Sequence, residues 1–312
     1  MRTVQGLESY PPDLGPSIVA LGAFDGIHLG HRAILGTAVA RGQARGARVV
    51  ACTFDRHPME VLSPSRAPAP LATLAERLSL IAETGVDLTL VLAFTPELAR
   101  VEPEAFVKEV VVGRLHAQEV VVGYNHTFGR GARGDADLLC AIGGPMGLVT
   151  HVVPPLLVDG VPVSSSEIRT MLRDGDVVRA ARCLGRPYSI AGTVTRGAGR
   201  GRTLGFPTAN LDPERPLLLP TGVYACHAEI DGGTHRAVVN VGVRPTFGEN
   251  ALAIEAYLMD VAADFYGRPL RLHFLARLRG ERRFAGVDEL RAQIARDVED
   301  ARRELERTGS PG

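Results

Sequence analysis

Short β-branched runs alternate with longer helical stretches over residues 18–153, and this alternation restricts the fold more than any other feature of the chain. Five runs have strand character, and they cover Ile18–Phe24, Arg48–Phe54, Asp87–Phe94, Glu119–Gly123 and Leu148–Val153. Strands that alternate with helices pair in parallel, with the helices packed on both faces of the sheet. The sequence therefore predicts a doubly wound α/β domain with its ligand crevice at the carboxyl ends of the strands.

The helices between these strands have recognisable ends. Thr73 is a predicted N-cap for a helix that stops before Gly85, and Pro103 opens a helical stretch over Glu104–Val112. Two further short helices are predicted at Ser166–Leu172 and Asp176–Leu184.

The pattern changes at residues 185–187, a Gly-Arg-Pro turn, where we predict a boundary between domains of residues 1–185 and 186–312. Downstream, short alternating strands are separated by Gly and Pro turns, which predicts a small antiparallel β-barrel. Its strands are expected at Tyr188–Thr195, Gly222–Ile230, Arg236–Val241, Leu252–Leu258 and Leu270–Ala276. A C-terminal helix has an apolar face, so we expect it to pack across the barrel. That face consists of Leu290, Ile294, Val298 and Leu305.

The charge balance excludes some classes of partner. Thirty-five basic residues offset 35 acidic ones, which removes the broad electropositive surface that nucleic-acid binding needs, so any anion site is local. No apolar run approaches the roughly 18 residues of a membrane span, and the amino terminus lacks an apolar signal-peptide core. We therefore expect no nucleic-acid partner, no membrane and a cytoplasmic location. The cysteines, expected to be buried, reduced and inert, are Cys52, Cys140, Cys183 and Cys226.

The most informative decapeptide follows the first predicted strand and has the pattern G-A-F-D-G-I-H-L-G-H at residues 22–31. Its glycines let backbone N–H groups approach a ligand, and the helix that follows carries partial positive charge at its start. His28 and His31, three residues apart, would face the same way and could stabilise the charge of a leaving pyrophosphate. A histidine pair at this spacing can also bind metal, but no third ligand stands at a suggestive offset.

A second phosphate element is predicted at the start of the helix that contains Arg169. Three hydroxyl side chains precede it, from Ser164, Ser165 and Ser166. Taken alone, they can be a plain helix cap. Beside the histidine motif, the hydroxyls and the guanidinium one turn later form a plausible clamp for the same triphosphate.

A second anion site is predicted in the barrel half. The segment R-G-A-G-R-G-R-T-L-G at residues 196–205 is a glycine-rich basic loop that contains Arg200 and Arg202, and it lacks the order of a P-loop. The segment P-T-A-N follows, with Thr208 and Asn210 on one side of an extended chain. Both offer the hard oxygen atoms that Mg²⁺ accepts. On a later strand, Glu255 is a candidate base for phosphoryl transfer to an alcohol.

These motifs resemble a known family. The decapeptide resembles the H-x-G-H signature of nucleotidyltransferases, and Ser164–Arg169 resembles their S-[ST]-x-x-R element. P-T-A-N and the blocks at residues 222–224, 240–247, 254–256 and 264–267 resemble riboflavin kinase domains. Together, residues 15–306 resemble the bacterial bifunctional riboflavin kinases/FMN adenylyltransferases. The resemblance implies an ATP- and Mg²⁺-dependent enzyme that phosphorylates riboflavin in the barrel and adenylylates FMN in the amino-terminal domain.

The resemblance also implies residue roles. In the barrel, Thr208 and ATP phosphates would hold Mg²⁺ with Asn210 close by, Glu255 would accept the hydroxyl proton, and the 196–205 loop would close over ATP. In the first domain, FMN attacks the α-phosphorus directly. The phosphate ligands expected there are Gly22, Phe24, Gly30, His28, His31, Ser164, Ser165, Ser166 and Arg169. On the flavin side, Asn125 and His57 are the expected contacts.

The chain departs from the family pattern at a few positions. His126 stands where the family commonly has an aromatic residue, Arg56 where it usually has proline, and Tyr257 where it frequently has histidine. Two alternatives stay open at this point. One keeps only the kinase active, with a weakened or altered adenylyltransferase domain. The other is a catalytically silent flavin-binding regulator, against which the phosphate-transfer residues argue.

Overall fold

The computed structural model describes residues 1–197, 201, 204–243, 252–261 and 263–308. Contacts divide the chain into two compact units, and the division falls between Ser165 and Ser166. The domain boundary predicted after residue 185 stays a prediction.

The first unit is built on a six-stranded sheet in which every described pairing is parallel. Its strands are β1 (Arg2–Gln5), β2 (Ser17–Leu21), β3 (Arg48–Phe54), β4 (Leu88–Leu92), β5 (Ala117–Gly123) and β6 (Val149–Val153), in the spatial order β1-β4-β3-β2-β5-β6. The predicted doubly wound sheet is confirmed, with five strands near their expected positions. Strand β1 is an addition, because its four residues bury only Val4 and give no alternating signal.

Helices cover both faces of this sheet. The described α-helices are α1 (Leu29–Arg45), α2 (Pro58–Leu62), α3 (Leu74–Ala82), α4 (Pro103–Ala105) and α5 (Ala136–Gly143). Two hydrophobic clusters result, one containing Val19 and Val50, the other Ile18 and Ala51. Neighbouring residues of one strand thus enter opposite cores, which explains why the inner strands are apolar along their whole length.

The helix after Pro103 differs from the prediction. It begins as α4 and continues as a π-helix over Phe106–Arg114. The wider turns bury Phe106, Val107, Val110 and Val111, a set that includes adjacent pairs. Thr73 caps α3 as predicted, accepting a hydrogen bond from the Glu76 backbone N–H.

Helix α6 (Ser165–Arg173) begins at the last residue of the first unit, and the rest of it belongs to the second unit. Helix α7 (Val177–Leu184) and a closed antiparallel barrel follow. A short hairpin of β7 (Leu157–Val158) and β8 (Val161–Pro162) precedes them in the first unit. The barrel strands are β9 (Tyr188–Thr195), β10 (Ala209–Pro213), β11 (Gly222–Ile230), β12 (Gly233–Val243), β13 (Leu252–Leu258) and β14 (Pro269–Arg279). Strand β10, which sequence analysis treated only as a ligand segment, closes the barrel between β9 and β13.

The last helix, α8 (Val287–Thr308), packs on the outside of the barrel. Its Val298, Ala301 and Leu305 form a cluster with Val223 and Val238, which lie on strands β11 and β12. Packing of the closing helix across the barrel is therefore confirmed. The face of β11–β13 that carries this cluster is the outer one.

The cysteine prediction holds in part. None of the four cysteines, all of which lie in the described part of the chain, forms a disulfide; Cys52, Cys183 and Cys226 are buried, but Cys140 is exposed. It lies on α5, whose buried face is formed by Ala136 and Leu139. Burial raises the pKa of Cys52 to about 12, so this thiol stays protonated at neutral pH. Within the described residues, no helix combines the length and apolarity needed to cross a membrane.

Candidate active sites

The strand order creates a crevice beside β2 in the first unit. From β2 the chain passes to β3 and β4 on one side, while β5 and β6 lie on the other. A parallel sheet opens at such a reversal, because the loops after the two central strands diverge. The decapeptide follows β2, and the turn that contains Asn125, an expected flavin contact, follows β5. The fold thus brings the two segments to adjacent strand ends.

The two motif histidines lie side by side at the start of α1. His28 is the N-cap, and its Nδ1 atom accepts a hydrogen bond from the His31 backbone N–H at 3.2 Å. Their rings stack with centroids 3.6 Å apart and planes 17° from parallel. The edge of the Phe24 ring meets the His31 ring at 5.4 Å. Because Nδ1 of His28 is an acceptor, its neutral ring carries the proton on Nε2.

His31 is held in its neutral form. Burial, the neighbouring His28 and the charge of Arg77 lower the pKa of His31 well below its usual value of 6.5. Its Nδ1 atom is buried and has no hydrogen-bond partner among the described residues. A neutral imidazole can donate one N–H to a phosphate oxygen, so charge stabilisation here relies on hydrogen bonding and on the helix start.

The loop that presents the histidines has a demanding backbone. Phe24 and Ile27 have φ values of 52° and 39° and are fully buried. Such left-handed conformations cost bulky side chains about 1–3 kcal/mol each, so surrounding contacts must impose them. Gly30 is needed for a different reason, because a Cβ there would lie 3.1 Å from the His28 ring. Gly22 would likewise meet the Phe24 ring at 2.9 Å.

The predicted serine element contacts the loop through one residue. The Ser165 hydroxyl donates to the Asp25 backbone carbonyl at 3.0 Å, within the first unit. Ser164 is partly buried just before α6. Ser166 and Arg169 lie on α6 in the second unit, where Arg169 is buried at 4% exposure.

The flavin-side residues have distinct surroundings. Asn125 is exposed in the turn after β5, while His126 stacks on Phe128 with centroids 5.8 Å apart. Burial lowers the pKa of His126 to about 4, so the ring is neutral and can act as an aromatic surface. His57 is the N-cap of α2, and its Nδ1 accepts from the Met59 backbone N–H at 3.1 Å.

Two polar residues had no role assigned from the sequence: Asp25, within the decapeptide loop, and Arg77, beneath it. Asp25 accepts hydrogen bonds from the backbone N–H groups of Leu71 and Ala72, at 3.0 and 3.3 Å. Arg77, on α3, donates to the Ala23 carbonyl at 2.8 Å. A signal for Arg77 was present, because it lies four residues before Ile81 on the apolar side of its helix.

The barrel aligns its predicted residues by strand register. Glu255 on β13 faces Asn210 on β10 and Asn240 on β12, and Asn210 in turn faces Thr195 on β9. Residues directly opposed in antiparallel strands project to the same face. Because Ile254 and its alternates are buried inside the barrel, these four residues form a row on its outer face. We call Thr195, Asn210, Glu255 and Asn240 the polar row.

A cavity of about 320 Å³ is lined by Val194 and Ala256, the chain neighbours of Thr195 and Glu255, and by none of the four residues of the polar row. Thr208 lines it together with Asp264, Phe265 and Tyr266, the block that sequence analysis had singled out. The Arg196 guanidinium lies 5.1 Å from the centre of the Tyr266 ring. Tyr257, one of the departures from the family pattern, packs edge-on against Phe206 at 5.4 Å.

Two loop glycines lie against the predicted metal ligands. A Cβ on Gly197 would overlap the Asn210 side-chain amide, and one on Gly201 would lie 3.1 Å from the Thr208 hydroxyl. Arg200 and Arg202, the other predicted ATP contacts of this loop, lie outside the described residues. In the described part of the chain, no group of three or more His, Cys, Asp or Glu side chains could hold a metal ion. The alternative of a metal-binding histidine pair thus gains no third ligand there.

Two family models match consecutive parts of the chain. A model described as FAD synthetase matches residues 11–167, and one described as riboflavin kinase matches residues 184–305. The first covers strands β2 to β6 of the sheet with the histidine loop, and the second covers the barrel with the polar row.

Curated relatives match over nearly the whole length. Proteins named bifunctional riboflavin kinase/FMN adenylyltransferase are 37% identical in Bacillus subtilis strain 168, 36% in Escherichia coli K12 and 38% in Pseudomonas fluorescens. The alignments cover 91% of both chains for the first and 97% of both chains for the other two.

A solved structure has a similar fold. It is described as a macrolide-efflux protein from Streptococcus pneumoniae, is 30% identical, and superposes with a TM-score of 0.88. The superposition covers 97% of this chain and 99% of that chain, so the likeness includes both compact units.

Proposed function

This chain belongs to the family of bifunctional riboflavin kinases/FMN adenylyltransferases, and from that premise we propose which residues perform each reaction. The enzyme makes FAD in two steps. ATP phosphorylates riboflavin to FMN, and a second ATP adenylylates FMN with release of pyrophosphate. Bifunctional relatives favour this activity over a kinase-only enzyme and over a silent flavin-binding regulator. We assign adenylyl transfer to residues 1–185 and phosphoryl transfer to residues 186–312.

In the kinase step, Glu255 accepts the proton of the riboflavin 5′-hydroxyl as that oxygen attacks the γ-phosphorus of ATP. The bond between the γ-phosphorus and its bridging oxygen breaks, and ADP leaves. One observation supports this assignment most strongly: strand register places Glu255 directly beside Asn210 on the outer face of the barrel. The proposed base and one proposed ligand, distant in sequence, are thus neighbours, and Thr208 lies two residues before Asn210.

The oxygen donors of this site fit Mg²⁺. Thr208 and Asn210 offer a hydroxyl and an amide oxygen, the hard ligands that Mg²⁺ takes together with substrate phosphates. When bound, the ion neutralises phosphate charge during transfer. The loop of residues 196–205, including Arg200 and Arg202, covers the nucleotide in this proposal. The packing of Gly197 and Gly201 against the two ligands supports it.

In the adenylyl step, an FMN phosphate oxygen attacks the α-phosphorus of ATP, and pyrophosphate leaves. Because no covalent enzyme intermediate is needed, the residues position substrates and stabilise charge. His28 and His31 contact the phosphates from the start of α1. The backbone around Gly22, Phe24 and Gly30 and the serine element with Arg169 complete the phosphate site. Asn125 and His57 contact the flavin substrate.

The remaining substrates and surroundings follow from these reactions. Riboflavin, FMN and ATP are the partners we assign, and we place the enzyme in the cytoplasm with no membrane or nucleic-acid partner. The zero net charge supports local phosphate sites over a general polyanion surface.

Product analysis tests the proposal. The purified chain is incubated with riboflavin, excess ATP and Mg²⁺, beside Glu255→Gln and His28→Ala variants, and flavins are separated by chromatography. We expect FAD from the wild type, FMN alone from His28→Ala, and no product from Glu255→Gln unless FMN is supplied. FMN accumulation by the wild type, with no FAD even from added FMN, would contradict the adenylyl site.

A further inference from the structure

Arg77 lies buried beneath the carboxyl ends of two central strands. It is 6% exposed, on helix α3. Nη1 donates to the Ala23 carbonyl after β2 at 2.8 Å, while Nη2 donates to the Phe54 carbonyl at the end of β3 and to the Asp55 carbonyl at 3.4 Å. Its Nε atom is buried without a hydrogen-bond partner among the described residues.

Burial of this guanidinium costs free energy of folding. Within the described residues Arg77 forms no ion pair, and only backbone carbonyls contact its nitrogens. A buried charge without a paired counter-charge destabilises a fold, whereas a leucine or methionine would suit the apolar face shared with Ile81. The hydrogen bonds to three carbonyls therefore have to offset the cost of burying this charge.

The contacts of Arg77 join two loops that the adenylyl reaction uses. Ala23 belongs to the loop that presents His28 and His31, and Asp55 belongs to the segment that continues to His57. The Thr53 hydroxyl donates to the same Ala23 carbonyl at 3.0 Å. Arg77 thus fixes the spacing between the phosphate-side loop and the loop after β3.

A second set of hydrogen bonds joins the same loop to the start of helix α3. The Asp25 carboxylate, on the phosphate-side loop, accepts from the Leu71 and Ala72 N–H groups just before α3 begins. The loop therefore holds the start of α3, and α3 holds the loop through Arg77. Phe24 lies between these two attachment points, and the hydrogen bonds on either side of it hold its backbone in the left-handed conformation.

We propose that Arg77 is a positioning residue for adenylyl transfer, which sets the spacing of the two loops and supplies a fixed positive charge that bound polyphosphate offsets. The inference rests on the proposed function of the first unit. It explains why the charge is kept, since the anionic substrate adds to the negative charge of the carboxylates that act on Arg77 without forming an ion pair among the described residues. Of the titratable groups, Asp25, Asp55 and Glu60 act on Arg77, while His28 and Arg77 act on His31.

The test separates geometry from charge. Arg77→Met removes both, whereas Arg77→Lys keeps the charge but cannot reach three carbonyls at once. We expect the adenylyl kcat to fall about 100-fold in Arg77→Met, as for misplaced catalytic groups, with an intermediate loss in Arg77→Lys. Only Arg77→Met should also raise the KM for ATP and move the acid limb of the pH–rate profile to higher pH, because His31 then protonates more readily. Riboflavin kinase activity of the same chain should stay within about twofold of wild type.

Arg114 provides a matched control. It also donates to three backbone carbonyls, those of Leu7, Glu8 and Tyr10, at 3.2, 3.1 and 2.7 Å. Arg114→Met should lower the melting temperature without changing adenylyl kcat, KM or pH profile. If it reproduces the kinetic losses of Arg77→Met, or if Arg77→Met keeps wild-type kinetics, the inference is overturned.

Two further comparisons separate a folding defect and a failure of the proposed function from a failure of this inference. If Arg77→Met does not fold, Arg77→Lys decides the matter, since unchanged kcat in that variant would overturn the geometric role. Wild-type chain that makes no FAD from added FMN would refute the proposed function, whereas active wild type with equally active Arg77→Met and Arg77→Lys would refute only this inference.

Discussion

The two candidate active sites of this chain are positioned in opposite ways. In the first unit, a loop with disfavoured backbone angles is held by hydrogen bonds that the Asp25 carboxylate accepts and that Arg77 and Ser165 donate. In the second, strand register alone aligns Asn210 with Glu255 on the outer face of the barrel. The residues of a loop site are positioned by polar contacts that also stabilise the fold, whereas the residues of a site on a barrel face are positioned by strand pairing. Substitutions should therefore couple stability to activity in the first site and separate them in the second.

The largest effect is expected at Thr208, the proposed Mg²⁺ ligand of the barrel. Thr208→Val keeps the shape of the side chain but removes its hydroxyl, so we expect kinase kcat to fall about 100-fold and the Mg²⁺ requirement to rise. The melting temperature should not change, because Thr208 lines a cavity. Kinase assays at several Mg²⁺ concentrations check this. Thr193→Val, exposed on β9, is the control, and equal kinetics in the two variants would refute the assignment.

The next effect tests the coupled site. Asp25→Ala leaves the Leu71 and Ala72 N–H groups without their acceptor, which costs about 1–3 kcal/mol. We expect a lower melting temperature together with an adenylyl rate about 30-fold lower, because the same bonds position the histidine loop. Asp25→Asn retains an acceptor oxygen and should recover part of both. Loss of activity with unchanged melting would show that Asp25 acts on substrate instead.

A smaller effect is expected from Gly201, in the loop that we propose covers the nucleotide. In Gly201→Ala the new methyl group would meet the Phe206 carbonyl and the Thr208 hydroxyl, so we expect the kinase KM for ATP to rise about tenfold. Gly36→Ala, which meets nothing within 4 Å on α1, is the matched control and should leave the KM unchanged. Adenylyl kinetics with added FMN should stay at wild-type values in both. A normal KM in Gly201→Ala would exclude close packing of this loop on the nucleotide.

Features that depend on neighbouring residues could be predicted from the sequence, whereas features that depend on residues distant in the chain could not. Local patterns located most strands, the cap at Thr73 and both motif loops, because each depends on neighbouring residues. Pairings distant in sequence were not accessible, and the alignment of Asn210 with Glu255 is such a case. Strand β1 was missed because it lies at a sheet edge and buries only Val4. Arg77 was missed because a charged residue on an apolar helix face contradicts the pattern used to assign that helix.

The smallest effect on activity, with a clear effect on stability, is expected at Glu119. This residue lies near the start of β5, at the end of the sheet opposite to the histidine loop. Its side chain is 2% exposed, pairs with Arg41 at 2.7 Å and Arg45 at 2.8 Å, and lies 2.6 Å from His151 Nε2. Hydrogen bonds from Arg41, then His151 and Arg45, outweigh burial and lower the pKa of Glu119 from 4.5 to about 2. A depressed carboxyl pKa contributes stability that is present above about pH 4.5 and lost as pH falls toward 2.

Glu119→Gln isolates this contribution, because the amide keeps the size of the side chain but cannot ionise. We expect the first unit to lose at most about 3 kcal/mol at neutral pH and its unfolding to depend less on pH between 4.5 and 2. Chemical denaturation followed at several pH values measures both. Glu229→Gln, which removes a half-exposed carboxylate on the barrel, is the control and should change stability little. Adenylyl kinetics of folded Glu119→Gln should match wild type, and a kinetic loss would mean that α1 transmits strain from this end of the sheet to His28.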